Sequence, residues 1–151
     1  MKRLRTMDAE LIFTLCSRLV LPAWLLLVFV PRWPWTSRLV FQAWIPLLFA
    51  IAYIYCFYAA QPLPEGAGFS SLAAVMIFFQ SPYAAVAGWI HYLAFDLFIG
   101  AWQVRDAARR EINHLWVVPC LVLTFTAGPV GLLLYFCIRL FTNKTLTAVE
   151  G

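Results

Sequence analysis

Four long apolar stretches constrain this sequence more than any other feature. They run from about residue 11 to 30, 39 to 60, 83 to 104 and 115 to 140. Each stretch supplies the roughly 20 apolar residues that a helix needs to cross a hydrocarbon core about 30 Å thick. Lipid offers no partners for free backbone N–H and C=O groups, and four segments cannot close a β-barrel. We therefore predict an all-α polytopic membrane protein with four transmembrane helices, forming a single domain over residues 1–151.

The composition supports this prediction and excludes a water-soluble domain. Hydrophobic residues make up 64% of the chain and charged residues 12%, whereas soluble domains average about 45–50% and about 25%. The basic residues lie mostly at the edges of the apolar stretches, where membrane proteins carry them, and they form no patch suited to nucleic acid. We expect the lipid bilayer as the surroundings of this chain and no nucleic-acid partner.

The segments between the stretches carry turn and interface signals. Residues 31–38 contain two prolines and two arginines and predict a tight interfacial turn. Residues 61–66 are rich in Pro and Gly and should end the second helix. The apolar segment 69–80 is too short to span a membrane, which favours a short interfacial or re-entrant helix. Residues 105–114 are predicted to form a charged connection before the last stretch.

The distribution of basic residues leaves the orientation open. With four crossings, five basic residues fall on each side of the membrane, so the positive-inside rule does not decide. The N-terminal cluster favours both termini in the cytoplasm. One side carries Lys2, Arg3, Arg5, Arg139 and Lys144, and the other carries Arg32, Arg38, Arg105, Arg109 and Arg110.

The histidines and cysteines do not indicate a metal site. The four cysteines lie inside apolar stretches without CxxC or Cys/His spacing, which is typical of small buried hydrophobic residues. His91 has the side chain of an axial haem ligand, but His114 lies too far along the chain to be its obvious partner. We expect neither a metal nor a cofactor.

Three ionisable residues lie inside the apolar stretches: Arg18, His91 and Asp96. A charge at membrane depth costs at least about 2.5–3.5 kcal/mol on insertion scales, so each indicates a functional site by default. His91 exchanges protons near neutral pH, and Asp96 is a candidate acid, which makes both candidate catalytic residues. Arg18 is the predicted ion-pair partner of Asp96. The structural alternative remains open, because such a pair can simply hold two helices in register.

Helical periodicity divides the third stretch into two polar faces, about 140° apart. One face carries Asp96 and the other carries His91. Aromatic rings at mid-span suit a slot for a flat polyene, whereas those at the membrane edges are typical belt anchors. We predict a site on this helix and a central position for it in the bundle. Asp96 is aligned with Tyr92, Gly100 and Gln103, and His91 with Gly88, Phe95 and Trp102.

The same stretch carries a family resemblance. The segments Trp89-Ile90-His91, Asp96-Leu97-Phe98 and Gln103-Val104, with Leu21-Pro22 and Pro129-Val130-Gly131, resemble the abscisic-acid-deficiency-four family of plants and its bacterial relatives. Plant members are plastid membrane proteins linked to the isomerisation of violaxanthin to neoxanthin. That reaction opens an epoxide and leaves an allene, and it needs a proton donor and a proton acceptor without a redox cofactor.

The resemblance implies roles for individual residues. His91 and Asp96 become the catalytic candidates, and Arg18 a structural one. The substrate-binding candidates are Trp89, Tyr92, Phe95, Trp102 and Gln103.

Two departures from the plant members restrict these implications. Trp102 stands where plant members carry an arginine, and from residues 1–10 we expect no Ser-rich transit peptide. We therefore expect a protein of the bacterial inner membrane that binds or isomerises a carotenoid-like or other isoprenoid lipid. The alternative is a non-enzymatic membrane protein that organises a partner complex through residues 105–114. A small transporter is a third hypothesis, which lacks the usual paired broken helices in an inverted repeat.

Overall fold

The described part of the chain is almost entirely helical. The computed structural model describes residues 2–42 and 44–143, and no strand occurs within them. The helices are α1 (Lys2–Phe29), α2 (Pro34–Leu39), α3 (Trp44–Ala59), α4 (Leu72–Phe78), α5 (Pro82–Arg109) and α6 (His114–Asn143).

Four segments of this described chain are long and apolar enough to cross a membrane, judged by length and composition. The predicted all-α fold with four such segments is confirmed, and α4 lies within the predicted short helix at 69–80. The four segments are Asp8–Phe29, Pro34–Ala59, Pro82–Arg109 and His114–Thr142.

The outer surface of the bundle is apolar, as contact with lipid requires. Leu15, Leu25, Ile51, Phe95 and Leu133 are each between 57% and 67% exposed. Apolar side chains of this kind cover the outer faces of four helices. The exposed apolar area is therefore far larger than the area that a soluble monomer presents to water. The chain is an integral membrane protein.

α5 lies at the centre of the bundle, as the sequence predicts. It contacts α1, α3 and α6, whereas those three helices contact one another little. Trp89 donates a 2.9 Å hydrogen bond to Ser17 of α1, and further along both helices Trp24 packs on Gly100. α1 and α5 therefore run parallel.

α6 is bent back on itself, a feature that its apolar sequence does not reveal. Ala127 and Gly128 have non-helical backbone angles. A Cβ placed on Gly131 would lie 2.2 Å from the backbone nitrogen of Thr124, so the residues after the break lie directly against those before it. α6 is thus a helical hairpin, and each half is roughly 20 Å long at about 1.5 Å per residue.

The second half of this hairpin returns to the end of the bundle where the first half begins. Tyr135 hydrogen-bonds to Asp106 near the end of α5, and His114 hydrogen-bonds to Val28 near the end of α1. Irregular backbone at membrane depth is tolerated where protein buries it; at this break Gly128 is buried, whereas Ala127 and Pro129 on either side of it are exposed.

The hairpin changes the predicted distribution of the termini and the arginines. Thr142 lies at the opposite end of the bundle from the start of α1, whereas a straight fourth crossing would bring the two to the same end. Arg139, counted with the N-terminal cluster, instead joins the other group; Lys144 lies outside the described residues. We call the end of the bundle that carries this second group the arginine end; it is defined by Arg32, Arg38, Arg105, Arg109 and Arg110.

Two helix boundaries also differ from the prediction. The expected turn at 31–38 contains α2, since a proline fits the first turn of a helix, and α3 begins only at Trp44. α5 runs beyond 104 to Arg109, because Asp106 pairs with Arg110 one turn later, at 3.1 Å. The charged connection predicted at 105–114 therefore shrinks to residues 110–113.

Candidate functional site at the break of α6

The break in α6 faces the middle of α5. Pro129 has no backbone N–H, so the carbonyl of Phe125 lacks the donor that a continuous helix would supply. The hydroxyl of Tyr92 on α5 donates a hydrogen bond to that carbonyl oxygen. A side chain of α5 thus satisfies a backbone group that the break leaves open.

Asp96 lies one helical turn after Tyr92 and directly against the break. A Cβ on Gly128 would come within 2.8 Å of Oδ1 of Asp96, so any larger residue there would displace the carboxyl group. The side chains of Tyr92 and Asp96 are close enough to interact. Within the described chain, Oδ2 of Asp96 is buried and has no hydrogen-bond partner.

Trp24 of α1 completes this region from the other side. Its indole packs on Gly100, and its ring centroid lies 5.3 Å from that of Phe125. Its Nε1 is buried without an acceptor among the residues that the structure describes. Nearly all buried polar atoms in proteins are hydrogen-bonded, so the donor of Trp24 and the acceptor of Asp96 are each available to a polar group of a ligand. We call Trp24, Tyr92, Asp96 and Gly128 the break site.

Arg18 does not form the predicted ion pair with Asp96. Arg18 is exposed, and among the ion pairs of the described residues none joins it to Asp96. α1 turns Ser17 toward α5, and the next residue of a helix projects about 100° away. Asp96 meanwhile faces α6, so the two charges point in different directions and the predicted pair is wrong.

His91 lies on a different face of α5 from Asp96, in agreement with the helical spacing. Its imidazole lies against the ring of Phe95 in a tilted arrangement, with ring centroids 4.5 Å apart, and its centroid lies 6.3 Å from that of Tyr53 in α3. The side chain is exposed at the surface of the bundle. The two catalytic candidates are therefore neighbours along the helix without a shared contact surface.

The remaining predicted site residues fall into two groups. The ring of Trp89 lies beside that of Tyr92, with centroids 5.3 Å apart, next to the break site. Gln103 is fully buried and exchanges hydrogen bonds with Thr124 at 3.0 and 3.2 Å. Trp102 packs against the returning half of α6. The structure thus brings Trp89 and Tyr92 to the break, whereas Trp102 and Gln103 hold the hairpin in place.

A second polar cluster, absent from the sequence-based candidates, lies near the end of α5. Asp106 is 1% exposed and Arg139 is 0% exposed. Tyr135 donates a 2.7 Å hydrogen bond to Oδ2 of Asp106, and Nε of Arg139 lies 3.4 Å from the same oxygen. Nε of Arg110 lies 3.1 Å from Oδ1. We call these four residues the Asp106 cluster; it ties the end of α5 to the returning half of α6.

No group of three His, Cys, Asp or Glu side chains suited to a metal ion occurs within the described ranges. Cys16, Cys56 and Cys120 are buried and Cys137 is partly buried, all as free thiols.

Comparison with protein families assigns the chain. The sequence model described as ABA DEFICIENT 4-like matches residues 11–135, most of the chain. The protein belongs to the ABA DEFICIENT 4-like family. The match contains every residue of the break site of this ABA DEFICIENT 4-like protein, whereas Arg139 lies beyond it. Searches among curated proteins and among solved structures gave no match.

Proposed function

We propose that this ABA DEFICIENT 4-like protein binds an oxygen-bearing isoprenoid or polyene lipid at the break site and isomerises it by proton transfer. The observation that carries the proposal is the pair of buried, unpartnered polar atoms, Nε1 of Trp24 and Oδ2 of Asp96, within the described chain. A ligand oxygen beside the break would accept a hydrogen bond from the indole and exchange a proton with the carboxyl group.

The chemistry expected from the family suits such a site. When an epoxide opens to an allene, its oxygen gains a proton and becomes a hydroxyl, while a carbon of the polyene loses a proton. The product holds the same atoms as the substrate, so the reaction consumes no oxidant or reductant. Asp96 is the proton-exchanging group that we assign at the oxygen. His91 lies outside the break site on another, exposed face of α5, and we keep it as the candidate for the second.

The surroundings of the break site favour an apolar ligand. The rings of Trp24 and Phe125 lie beside it, and Trp89 extends this aromatic surface along α5. A long hydrocarbon chain can approach such a surface from the bilayer, where its concentration is highest. The proposal includes residence in the bacterial inner membrane, which cell fractionation would test.

Mass spectrometry of lipids and pigments that co-purify with the protein tests this proposal. The wild type is compared with Asp96→Asn and His91→Ala, and Asp8→Asn serves as the control because it makes the same chemical change at an exposed position. We expect a bound isoprenoid or polyene with the wild type and the control. Asp96→Asn should retain less of it, and both active-site variants should lose turnover. An unchanged lipid composition with folded Asp96→Asn protein would overturn the proposal.

A second candidate function is the organisation of a partner complex without catalysis. The exposed side chains of Arg109, Glu111 and Asn113 at the end of α5 favour it. In that case Arg109→Glu should release a co-purifying protein, whereas Asp96→Asn should leave every partner bound. Retention of all partners by Arg109→Glu would count against this candidate.

A further inference from the structure

Two adjoining clefts open at the arginine end. One, of about 560 Å³, is lined by Phe29, Val30, Pro31, Arg32, Trp33 and His114. The other, of about 260 Å³, has Arg32, Arg105, Arg109 and His114 in its lining. Arg32 and His114 line both, so an apolar cleft and a basic cleft meet at the end of α1.

The fold holds the basic side chains of the second cleft in place. The guanidinium of Arg105 lies over the ring of Phe41, 5.6 Å from its centroid, and that of Arg109 lies 3.7 Å from Asp106. His114 is held by a 2.9 Å hydrogen bond to the carbonyl of Val28. In the part of the chain that the structure describes, no Asp or Glu side chain lines this cleft.

We propose that these clefts bind an anionic phospholipid. The phosphate of its headgroup lies among Arg32, Arg105 and Arg109, because the planar guanidinium groups present donors that match phosphate oxygens. An acyl chain follows Phe29 and Trp33 into the apolar cleft. Basic pockets between transmembrane helices at the membrane surface are suited to anionic headgroups.

The neighbouring apolar cleft selects a lipid over a soluble phosphate. Its lining is largely aliphatic and aromatic, and Trp33, 49% exposed, is the kind of residue that lies at the level of lipid headgroups. A soluble phosphate ester would use only the basic cleft and leave this surface uncovered. The lipid site lies at the end of the bundle, away from the break site, so it does not depend on the proposed isomerisation.

Thermal unfolding of the purified protein in detergent, with added dioleoyl phosphatidylglycerol or dioleoyl phosphatidylcholine, tests the proposal. We expect the anionic lipid to raise the midpoint and the zwitterionic lipid to leave it nearly unchanged. The double variant Arg32→Gln/Arg105→Gln should weaken the apparent affinity for phosphatidylglycerol roughly tenfold or more, since it removes two charge-assisted contacts. Arg38→Gln is the matched control, because Arg38 belongs to the same end but not to either cleft.

Three outcomes would overturn the proposal. The first is equal stabilisation by both lipids, and the second is an equal loss of affinity in Arg38→Gln and in the double variant. The third is stabilisation by glycerol 3-phosphate at the same concentration as by the lipid, which would assign the cleft to a soluble phosphate. The double variant could have an altered unfolding midpoint for other reasons, so native mass spectrometry also counts the phosphatidylglycerol molecules that each protein retains. Equal retention by the wild type and the double variant would likewise reject the site.

Discussion

The hydroxyl of Tyr92 donates a hydrogen bond to the carbonyl oxygen of Phe125, the oxygen that Pro129 leaves without a helical donor. In lipid no water replaces such a donor, so an open carbonyl there is costly. α5 therefore does more than pack against α6: one of its side chains makes the break in α6 tolerable.

Tyr92→Phe should lower the free energy of unfolding by roughly 1 kcal/mol, within the range measured for hydrogen bonds between membrane helices. Denaturant unfolding in detergent measures the change. Tyr58→Phe is the control, because that side chain is 73% exposed and its hydroxyl should contribute little. Equal effects of the two substitutions would show that Tyr92 does not support the break.

Gly131→Ala should disrupt the hairpin of α6. Its Cβ would lie 2.2 Å from the backbone nitrogen of Thr124, and backbone cannot move aside as a flexible side chain can. We expect a loss of several kcal/mol, in the range of overpacked cores or beyond, seen as reduced folded yield and a lower unfolding midpoint. Gly68→Ala, which meets nothing within 4 Å, should be nearly neutral. A Gly131→Ala protein as stable as the Gly68→Ala control would contradict the tight packing of the two halves.

The hairpin also predicts from which side of the membrane introduced cysteines can be labelled. Asn113, Thr142 and Glu65 are exposed and are replaced by cysteine one at a time, after the four native cysteines have been changed to alanine. An impermeant thiol reagent should reach positions 113 and 142 from the same side of the membrane and position 65 from the other. The arginine end carries five flanking arginines against the three basic residues of the N-terminal cluster, so that shared side should be the cytoplasm. This reverses the side that the N-terminal cluster alone favours. Labelling of position 142 from the side of position 65 would instead show that α6 crosses the membrane.

Hydropathy and helical spacing predicted much of this arrangement because both follow directly from residue type. The spacing placed Tyr92, Asp96, Gly100 and Gln103 on one face of α5, and the structure turns that face toward α6 and Trp24. The hairpin was not predicted, because residues 115–140 form one continuous apolar run whether the helix crosses the membrane or reverses within it. Gly128 and Pro129 allow a break, but they do not specify a reversal.

Opposite charge alone led to the wrong prediction of an ion pair. Arg18 and Asp96 have opposite charges, yet periodicity within α5 does not tell which neighbouring helix Asp96 faces. Two features of the sequence could have indicated the Asp106 cluster. Extending the polar face of α5 by one turn beyond Gln103 reaches Asp106, and Arg139 interrupts the last apolar stretch, where a membrane-buried arginine requires a partner.

Asp106→Asn should be more damaging than Arg139→Met. Asp106→Asn removes the ion pair of Asp106 with the fully buried Arg139, and breaking a buried pair by removing one partner costs about 3–5 kcal/mol. After Arg139→Met, Asp106 keeps its contacts with Arg110 and Tyr135. The double variant should lose less stability than the sum of the single ones, which a double-mutant cycle of unfolding free energies measures. Additive losses, or a cost of Arg38→Met equal to that of Arg139→Met, would argue against the cluster.

Glu111→Gly should stabilise the protein. Glu111 has a φ of 57° at the end of α5, where the N–H of Ile112 bonds to the carbonyl of Ala107 at 2.9 Å. Glycine is the residue that this helix-ending motif favours, and relief of the left-handed conformation is worth about 1 kcal/mol. Glu10→Gly, in a helical position of α1, should instead lower stability by about 1 kcal/mol. The unfolding midpoints of both variants check the opposite signs.

The buried position of Arg139 has a consequence for the order of events during synthesis. The ribosome releases α5, with Asp106, before it releases Arg139. An arginine entering the hydrocarbon alone is disfavoured by about 2.5–3.5 kcal/mol on insertion scales, but the Asp106 carboxylate that pairs with Arg139 has been synthesised before it. We therefore expect the last helical segment to insert with the help of the preceding one. A chain without Asp106 should leave its C-terminal segment at the membrane surface, where quality-control proteases can cleave it.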